Sequence, residues 1–291
     1  MRFSVFTAST PEWTPAEVVA NLKEQGWDGV EWRVVDQPAA APSSDGTAAV
    51  GFWAGNRATW PLTGLEESVP EILRLTREAG LGMSGIGGYA QASDHENVER
   101  MLAATAALGA GQVRVTMPRT DTGEDYPSVF ARTRADLEWV VSRAAEHGVK
   151  ALVELHHETI TPSASAARRL LEGLDPAHVG AIHDLGNLVN EGFENHRAAF
   201  ELLGDYLAHV HVKNARWVTD GSRRDDGSLV WRHEWATLRD GQADVGRYLT
   251  DLREHGYDGW VTLEDFSTDL PLADRTRDNL AWLHSLVGAN A

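Results

Sequence analysis

The chain reads as a closed (β/α)8 barrel, and three observations point there. Short apolar strands alternate with amphipathic helices from one end to the other. Eight such units fit into 291 residues with no convincing linker. Carboxylates and imidazoles gather where successive strands end, the place where such barrels build their sites. Strands that alternate with helices imply a parallel sheet, and eight units at this length imply its closure. One domain is expected over residues 1–291. The competing fold is an open doubly wound sheet. No glycine fingerprint for dinucleotide phosphates follows the first strand, and "GIGGY" (85–89) lacks that spacing, so it reads as a tight turn.

Residues 2–8, "RFSVFTA", form the first strand. A helix over 14–26 follows, capped by Thr14, with Pro15 in its first turn and Gly26 at its end. "GVEWRVV" (29–35) is the second strand. Residues 36–64, rich in Pro, Ala, Ser and Gly, read as a long loop with a short strand near "GFWAGN". The helix 65–80 leads to the third strand in 81–89, and the helix from Asp94 to "QVRVTM" (112–117). A long helix over 128–148 precedes "KALVEL" (150–155), and a helix over 163–174 precedes "VGAIHD" (179–184). The helix 196–204 leads to "LAHVHV" (207–212). A polar loop over 215–241, a helix over 243–256, the strand "GWVTLED" (259–265) and a helix over 272–287 complete the chain.

Composition excludes several classes. There is no cysteine, so disulfides and thiolate metal sites are out. The start of the chain lacks a basic region followed by an apolar run, so no signal peptide is expected, and a cytoplasmic location fits. No stretch approaches the ~18 apolar residues of a membrane span. The net charge of −17, with no long basic stripe, argues against a nucleic-acid partner and fits a soluble acidic protein. Among eleven tryptophans, one or two could form sugar-stacking walls in a pocket, the rest packing.

At the strand ends, the fifth strand presents Glu154 and His156 on one face, the sixth Asp184, the seventh His209 and His211, and the eighth Glu264. A single polar rim residue is ordinary. Four on consecutive strands form a set whose carboxylates would repel without a cation. Oxygen and imidazole donors suit Mn²⁺, Mg²⁺, Co²⁺ or Zn²⁺. An ion there would polarise a carbonyl, and flanking carboxylates could move protons.

The motifs "GVEWR", "VELHH", "HDLGN", "HVHVKN" and "GWVTLED" resemble the sugar phosphate isomerase/epimerase superfamily, with its xylose isomerase-like TIM barrel, over nearly the whole chain. The resemblance implies one divalent ion, commonly Mn²⁺, held by Glu154, Asp184, His211 and Glu264. In the ketose epimerase branch the two ligand glutamates, here Glu154 and Glu264, also carry the proton. That branch has a substrate-touching histidine where this chain has Asn187, which puts the substrate class in doubt. "HVHVKN" is closer to the pattern of inosose dehydratase-like members, with Asn214 where an aspartate is usual. The superfamily also holds hydroxypyruvate isomerase-like enzymes and the large subunit of C-glycoside deglycosidases.

Other residues carry two readings each. Lys213 donates to a substrate oxygen, or bridges to a ligand carboxylate. Arg216 clamps a substrate group, or is a solvated loop residue. His156 is an acid or base near the ion, or a supporting hydrogen-bond partner. Glu31 contacts substrate or forms a structural bridge inside the barrel. His209 is expected to be a packed interior histidine. His157 and His183 are expected to point toward the helices. Trp13, Trp53 and Trp217 wall the pocket or merely pack.

The leading expectation is a metal-dependent isomerase or epimerase that acts on an unphosphorylated ketose or related polyhydroxy carbonyl through an enediolate. The alternative is a lyase: an inosose or keto-sugar dehydratase, or the barrel subunit of a C-glycoside deglycosidase. The missing phosphate signature and the acidic "FSTDLPLAD" (266–274) favour an unphosphorylated substrate. A DNA-repair endonuclease would need more histidines and a basic face, and a purely regulatory protein would not keep the ligand set. A homo-oligomer fits the resemblance, as does a small partner subunit.

Overall fold

A computed structural model describes residues 1–40 and 49–288; the part of the 36–64 loop at 41–48 lies outside the described residues. Eight parallel strands close into a barrel: β1 (Arg2–Phe6), β2 (Gly29–Val34), β3 (Gly82–Gly88), β4 (Gln112–Val115), β5 (Lys150–Glu154), β6 (Val179–Asp184), β7 (Leu207–Val212) and, last in the ring, β10 (Trp260–Leu263). Closure comes from β1 pairing with β10, Arg2 opposite Trp260 and Val5 opposite Leu263. The strands are buried on both faces, hence their Val, Ile and Leu content.

Outside the barrel run α1 (Pro15–Gln25), α2 (Leu65–Ala79), α3 (His95–Leu108), α4 (Tyr126–His147), α5 (Ala164–Leu171), α7 (His196–Leu203), α8 (Val245–Glu254) and α9 (Leu272–Gly288). The start of α1 is as the sequence predicts. Thr14 accepts from the Glu17 amide, Glu17 reaches back to the Thr14 amide, and Gly26 closes the helix at φ 89°. The main core lies between the strands and this helical layer, around Leu22, Trp32, Ile72, Met101, Leu137 and Phe200. No helix among the described residues is long and apolar enough to cross a membrane.

Two local expectations are corrected, and one short helix is added. "GIGGY" is not a turn: its first four residues end strand β3. A Cβ at Gly87 would collide with the ring of Phe6, so glycine there lets Phe6 lie across the barrel interior. Directly after β6 the chain forms a short helix, α6 (Leu185–Asn190), capped by Asp184 itself. The loop 215–241 contains an antiparallel hairpin of β8 (Asn214–Val218) and β9 (Arg232–Ala236), standing at the mouth beyond β7.

Candidate active site

Alternation along β7 puts His209, His211 and Lys213 on the inner face, all buried. His209 is the deepest. Its Nε2 lies 2.8 Å from Glu31 Oε2, and Gln112 Nε2 lies 3.1 Å from its Nδ1. One turn of the pleat higher, His211 Nε2 donates to the same Glu31 oxygen at 3.1 Å. Glu31 therefore orients two imidazoles from across the barrel, the structural role weighed for it. His209 and His211 hold its carboxyl well below the usual range against the opposing effect of burial.

With Nε2 held, the other nitrogen of His211 faces three carboxylates. Its Nδ1 lies 3.4 Å from Glu154 Oε1, 3.6 Å from Asp184 Oδ2 and 3.8 Å from Glu264 Oε2. Nδ1 of His211 and Oδ2 of Asp184 are buried and have no hydrogen-bond partner. Lys213 Nζ bridges Glu264 and lies 3.0 Å from Asp184 Oδ2, which is an ion pair without hydrogen-bond geometry. Ligand atoms of Glu154, Asp184, His211 and Glu264 all fall within 4.8 Å of one another. Three carboxylate oxygens and one imidazole nitrogen, two of the four atoms without a hydrogen bond, fit a divalent cation of the oxygen- and nitrogen-binding kind. Glu31, His209 and His211 also cluster, but their atoms are already joined by hydrogen bonds, so this group supports the first.

The electrostatics separate the carboxylates. Burial raises Glu264, and although Lys213 and His211 oppose it the pKa stands at about 7. Glu154 is also buried, yet Arg114 and His211 hold it well below its ordinary value. Lys213 and His211 likewise lower Asp184 against its burial. Burial opposes a charge on His211, but Glu31, Asp184 and Glu154 raise its pKa well above the ordinary value.

Beside Glu154 lies a cavity of about 170 Å³, lined by Tyr89, Arg114, Thr116, Met117, His156 and Thr159, among others. His156 reaches it as expected. Its Nδ1 donates to the His157 carbonyl at 2.8 Å. Asn187 does not line it. The Asn187 amide donates to Leu155 O at 3.1 Å and Glu154 Oε1 at 3.4 Å, while its Oδ1 lies 3.1 Å from His157 Nδ1. It braces Glu154 from behind rather than reaching out to a ligand.

Arg216 is not brought to the site. Alternation along the hairpin gives Ala215, Trp217, His233 and Trp235 one face and Arg216 and Glu234 the other. The Trp235 face is the one over Lys213, so Arg216 is turned away and pairs with Glu234 at 2.7 Å, 43% exposed. His157 also departs from expectation. It sits at the rim, stacked on His156 with centroids 4.3 Å apart. His183 does turn to the helical layer, its Nδ1 2.9 Å from the Tyr248 hydroxyl.

Sequence reading passed over Arg114. It enters from β4, donates to Glu154 Oε2 at 2.6 Å and to Gly88 O at 3.0 Å, and lies against the rings of Tyr89 and Phe6 at 4.2 and 5.4 Å. The signal was available: in "QVRVTM" a charge sits mid-strand between valines, and a buried charge requires a partner.

Comparisons with known proteins agree with this architecture. A family model described as xylose isomerase-like TIM barrel matches residues 19–286. The inosose dehydratase of Lacticaseibacillus casei is 29% identical over 139 residues, 46% of each chain. That of Bacillus licheniformis is 29% identical over 126 residues, 42% of this chain and 41% of the relative. The matches thus span less than half of these curated relatives. Among solved structures, a 3-keto-D-glucoside 4-epimerase from E. coli superposes with TM-score 0.71 at 20% identity, over 98% of this chain and 99% of its own. A D-psicose 3-epimerase from Clostridium cellulolyticum H10 gives 0.71 at 13%, over 98% and 99%. At these identities the structural likeness shows the fold.

Proposed function

Because the chain belongs to the xylose isomerase-like TIM-barrel family, we propose that it is a divalent-metal-dependent isomerase or epimerase of an unphosphorylated ketose or related polyhydroxy carbonyl. The observation that carries this reading is the convergence of Glu154, Asp184 and Glu264 on the unpartnered Nδ1 of His211, beside a cavity. An ion held by these four residues, Mn²⁺ before Mg²⁺, Co²⁺ or Zn²⁺, would polarise a substrate carbonyl and acidify the neighbouring C–H. Glu264 takes the proton beside that carbonyl, giving an enediolate, and Glu154 delivers one to the opposite face to complete epimerisation. Glu154, tied to Arg114 and Asn187, is also an anionic ligand. Lys213 offers positive charge to the developing oxyanion, and His156 contacts substrate hydroxyls from the cavity wall. Both arginines lining the cavity, Arg114 and Arg119, are already ion-paired, which supports an unphosphorylated substrate.

Dehydration is the second reading, supported by the curated inosose dehydratases that match part of the chain. Both reactions begin with proton removal beside a carbonyl, and the lyase then expels a β-hydroxyl as water. The discriminating experiment is incubation of ketoses, inososes and 3-keto-glucosides with the Mn²⁺-loaded protein in heavy water. Deuterium in recovered or epimerised sugar supports isomerisation, and an unsaturated product supports dehydration. No exchange with any of these compounds would reject both.

A further inference from the structure

The chain carries three lysines against twenty-three arginines. Lys213 stands in the metal centre, and Lys23 lies exposed on α1, its Nζ donating to the Glu78 carbonyl at 3.3 Å. Lys150 is placed differently. It is the first residue of β5, and alternation puts it on the same inward face as Glu154, at the other end of the strand and roughly 13 Å away at about 3.3 Å per residue. Its half-buried side chain passes over Gly180 of β6, where a Cβ would stand 3.4 Å from Lys150 Cδ. Among the described residues its amine has no hydrogen-bond or ion-pair partner.

Lys150 lines a cavity of about 400 Å³ at the amino-terminal end of the barrel, together with Asp205, His255, Tyr257 and Asp258. These four come from the turns that lead into β7 and β10. Gly259 makes room there, since a Cβ on it would come within 2.6 Å of the Tyr257 hydroxyl. Asp205, His255 and Asp258 are exposed at the rim, so the cavity is open to solvent. Burial lowers the pKa of Lys150, against the opposing pull of Asp175 and Asp205. Arginine would serve as well for a plain surface charge and never gives up its proton, whereas a lysine in partly buried surroundings does.

We propose that Lys150 is a carbonyl-capture site, which binds a small neutral hydroxyaldehyde and holds it as a reversible Schiff base. The neutral amine adds to the aldehyde carbon, and its proton passes to the new oxygen through the rim groups Asp205, Asp258 and His255. That oxygen leaves as water while the C=N bond forms, so amine and aldehyde condense with no further reactant. The lining selects the class of ligand. Two carboxylates disfavour an anion, the lysine disfavours a cation, and the carboxylates accept from hydroxyl groups. The site lies at the end of the barrel opposite the metal centre and does not depend on its chemistry.

The test is treatment of the full chain with rising concentrations of D-glyceraldehyde in the presence of cyanoborohydride, which reduces the imine and fixes it in place. Peptide mass spectrometry then reads the three lysines separately. Lys150 is expected to be labelled at least roughly ten-fold faster than Lys23, a small part of what holding two reactants together can supply. Its rate should saturate with aldehyde, while that of Lys23 rises linearly. Propanal, an aldehyde without hydroxyls, should label Lys150 without saturating. The double variant Asp205→Asn, Asp258→Asn should raise the half-saturating concentration of D-glyceraldehyde, with melting temperature as the check on folding. Equal rates at Lys150 and Lys23, a linear rate at Lys150, saturation by propanal at the same concentration, or an unchanged half-saturation in the double variant overturns the site.

Discussion

Arg114 donates from Nη1 to Glu154 Oε2 at 2.6 Å, and both side chains are buried, 4% and 6% exposed. The guanidinium is the nearest positive charge to a carboxylate that also faces His211. Removing it strips a buried Glu154 of its nearest positive charge and leaves only His211 and the Asn187 amide beside it, which costs up to roughly 3–5 kcal/mol. Arg114→Met is therefore expected to melt well below the parent in EDTA. Excess Mn²⁺ should restore part of the difference, because a cation on Glu154 supplies the lost charge. Identical melting of the two proteins in EDTA would mean that Arg114 does not support Glu154.

Metal analysis of the purified protein should find about one divalent ion per chain. Asp184→Ala and His211→Ala should lose it. Glu31→Gln, which weakens the acceptor of His211 Nε2 without touching the ligand set, should lower affinity by roughly 10–100-fold. Full metal content in both alanine variants would remove the proposed centre.

Metal affinity should climb with pH. Glu264 titrates at about 7 because burial outweighs Lys213 and His211, and Glu31, Asp184 and Glu154 raise His211 above its ordinary value despite burial. Both groups carry protons in the acidic range, and both must lose them to bind an ion. Mn²⁺ titrations at pH 6, 7 and 8 should show affinity rising steeply over that range, and less steeply in Glu264→Gln, which has no such proton to lose. A flat profile in the parent would contradict the assignment.

Lys213 sits between Asp184 and Glu264, so it serves either the resting charge balance or the reacting oxyanion. Lys213→Met with metal retained should lower turnover by roughly 10²–10³-fold while changing KM little. Unchanged turnover would leave Lys213 as a counter-charge only.

Sequence alone determined the eight strand–helix units, the helix caps and the inward row His209–His211–Lys213. Each depends on local rules: the period of two along a strand, the period of 3.6 along a helix, and the chemistry of helix ends. Alternation and strand order also gather Glu154, His156, Asp184, His209, His211 and Glu264 at the ends of four strands, and the family resemblance selects Glu154, Asp184, His211 and Glu264 among them as candidate ligands. The tertiary structure decided what those rules cannot reach. Arg114 meets Glu154 across 40 residues of sequence, and Glu31 meets His211 across 180. Asn187 turns inward because α6 starts directly on Asp184, and Arg216 turns outward because residues 214–236 pair as a hairpin rather than wander as a loop. Pairings of this kind depend on which strands the barrel makes neighbours and on which face the register exposes, and a one-residue shift in register would have exchanged the positions of Arg216 and Trp217.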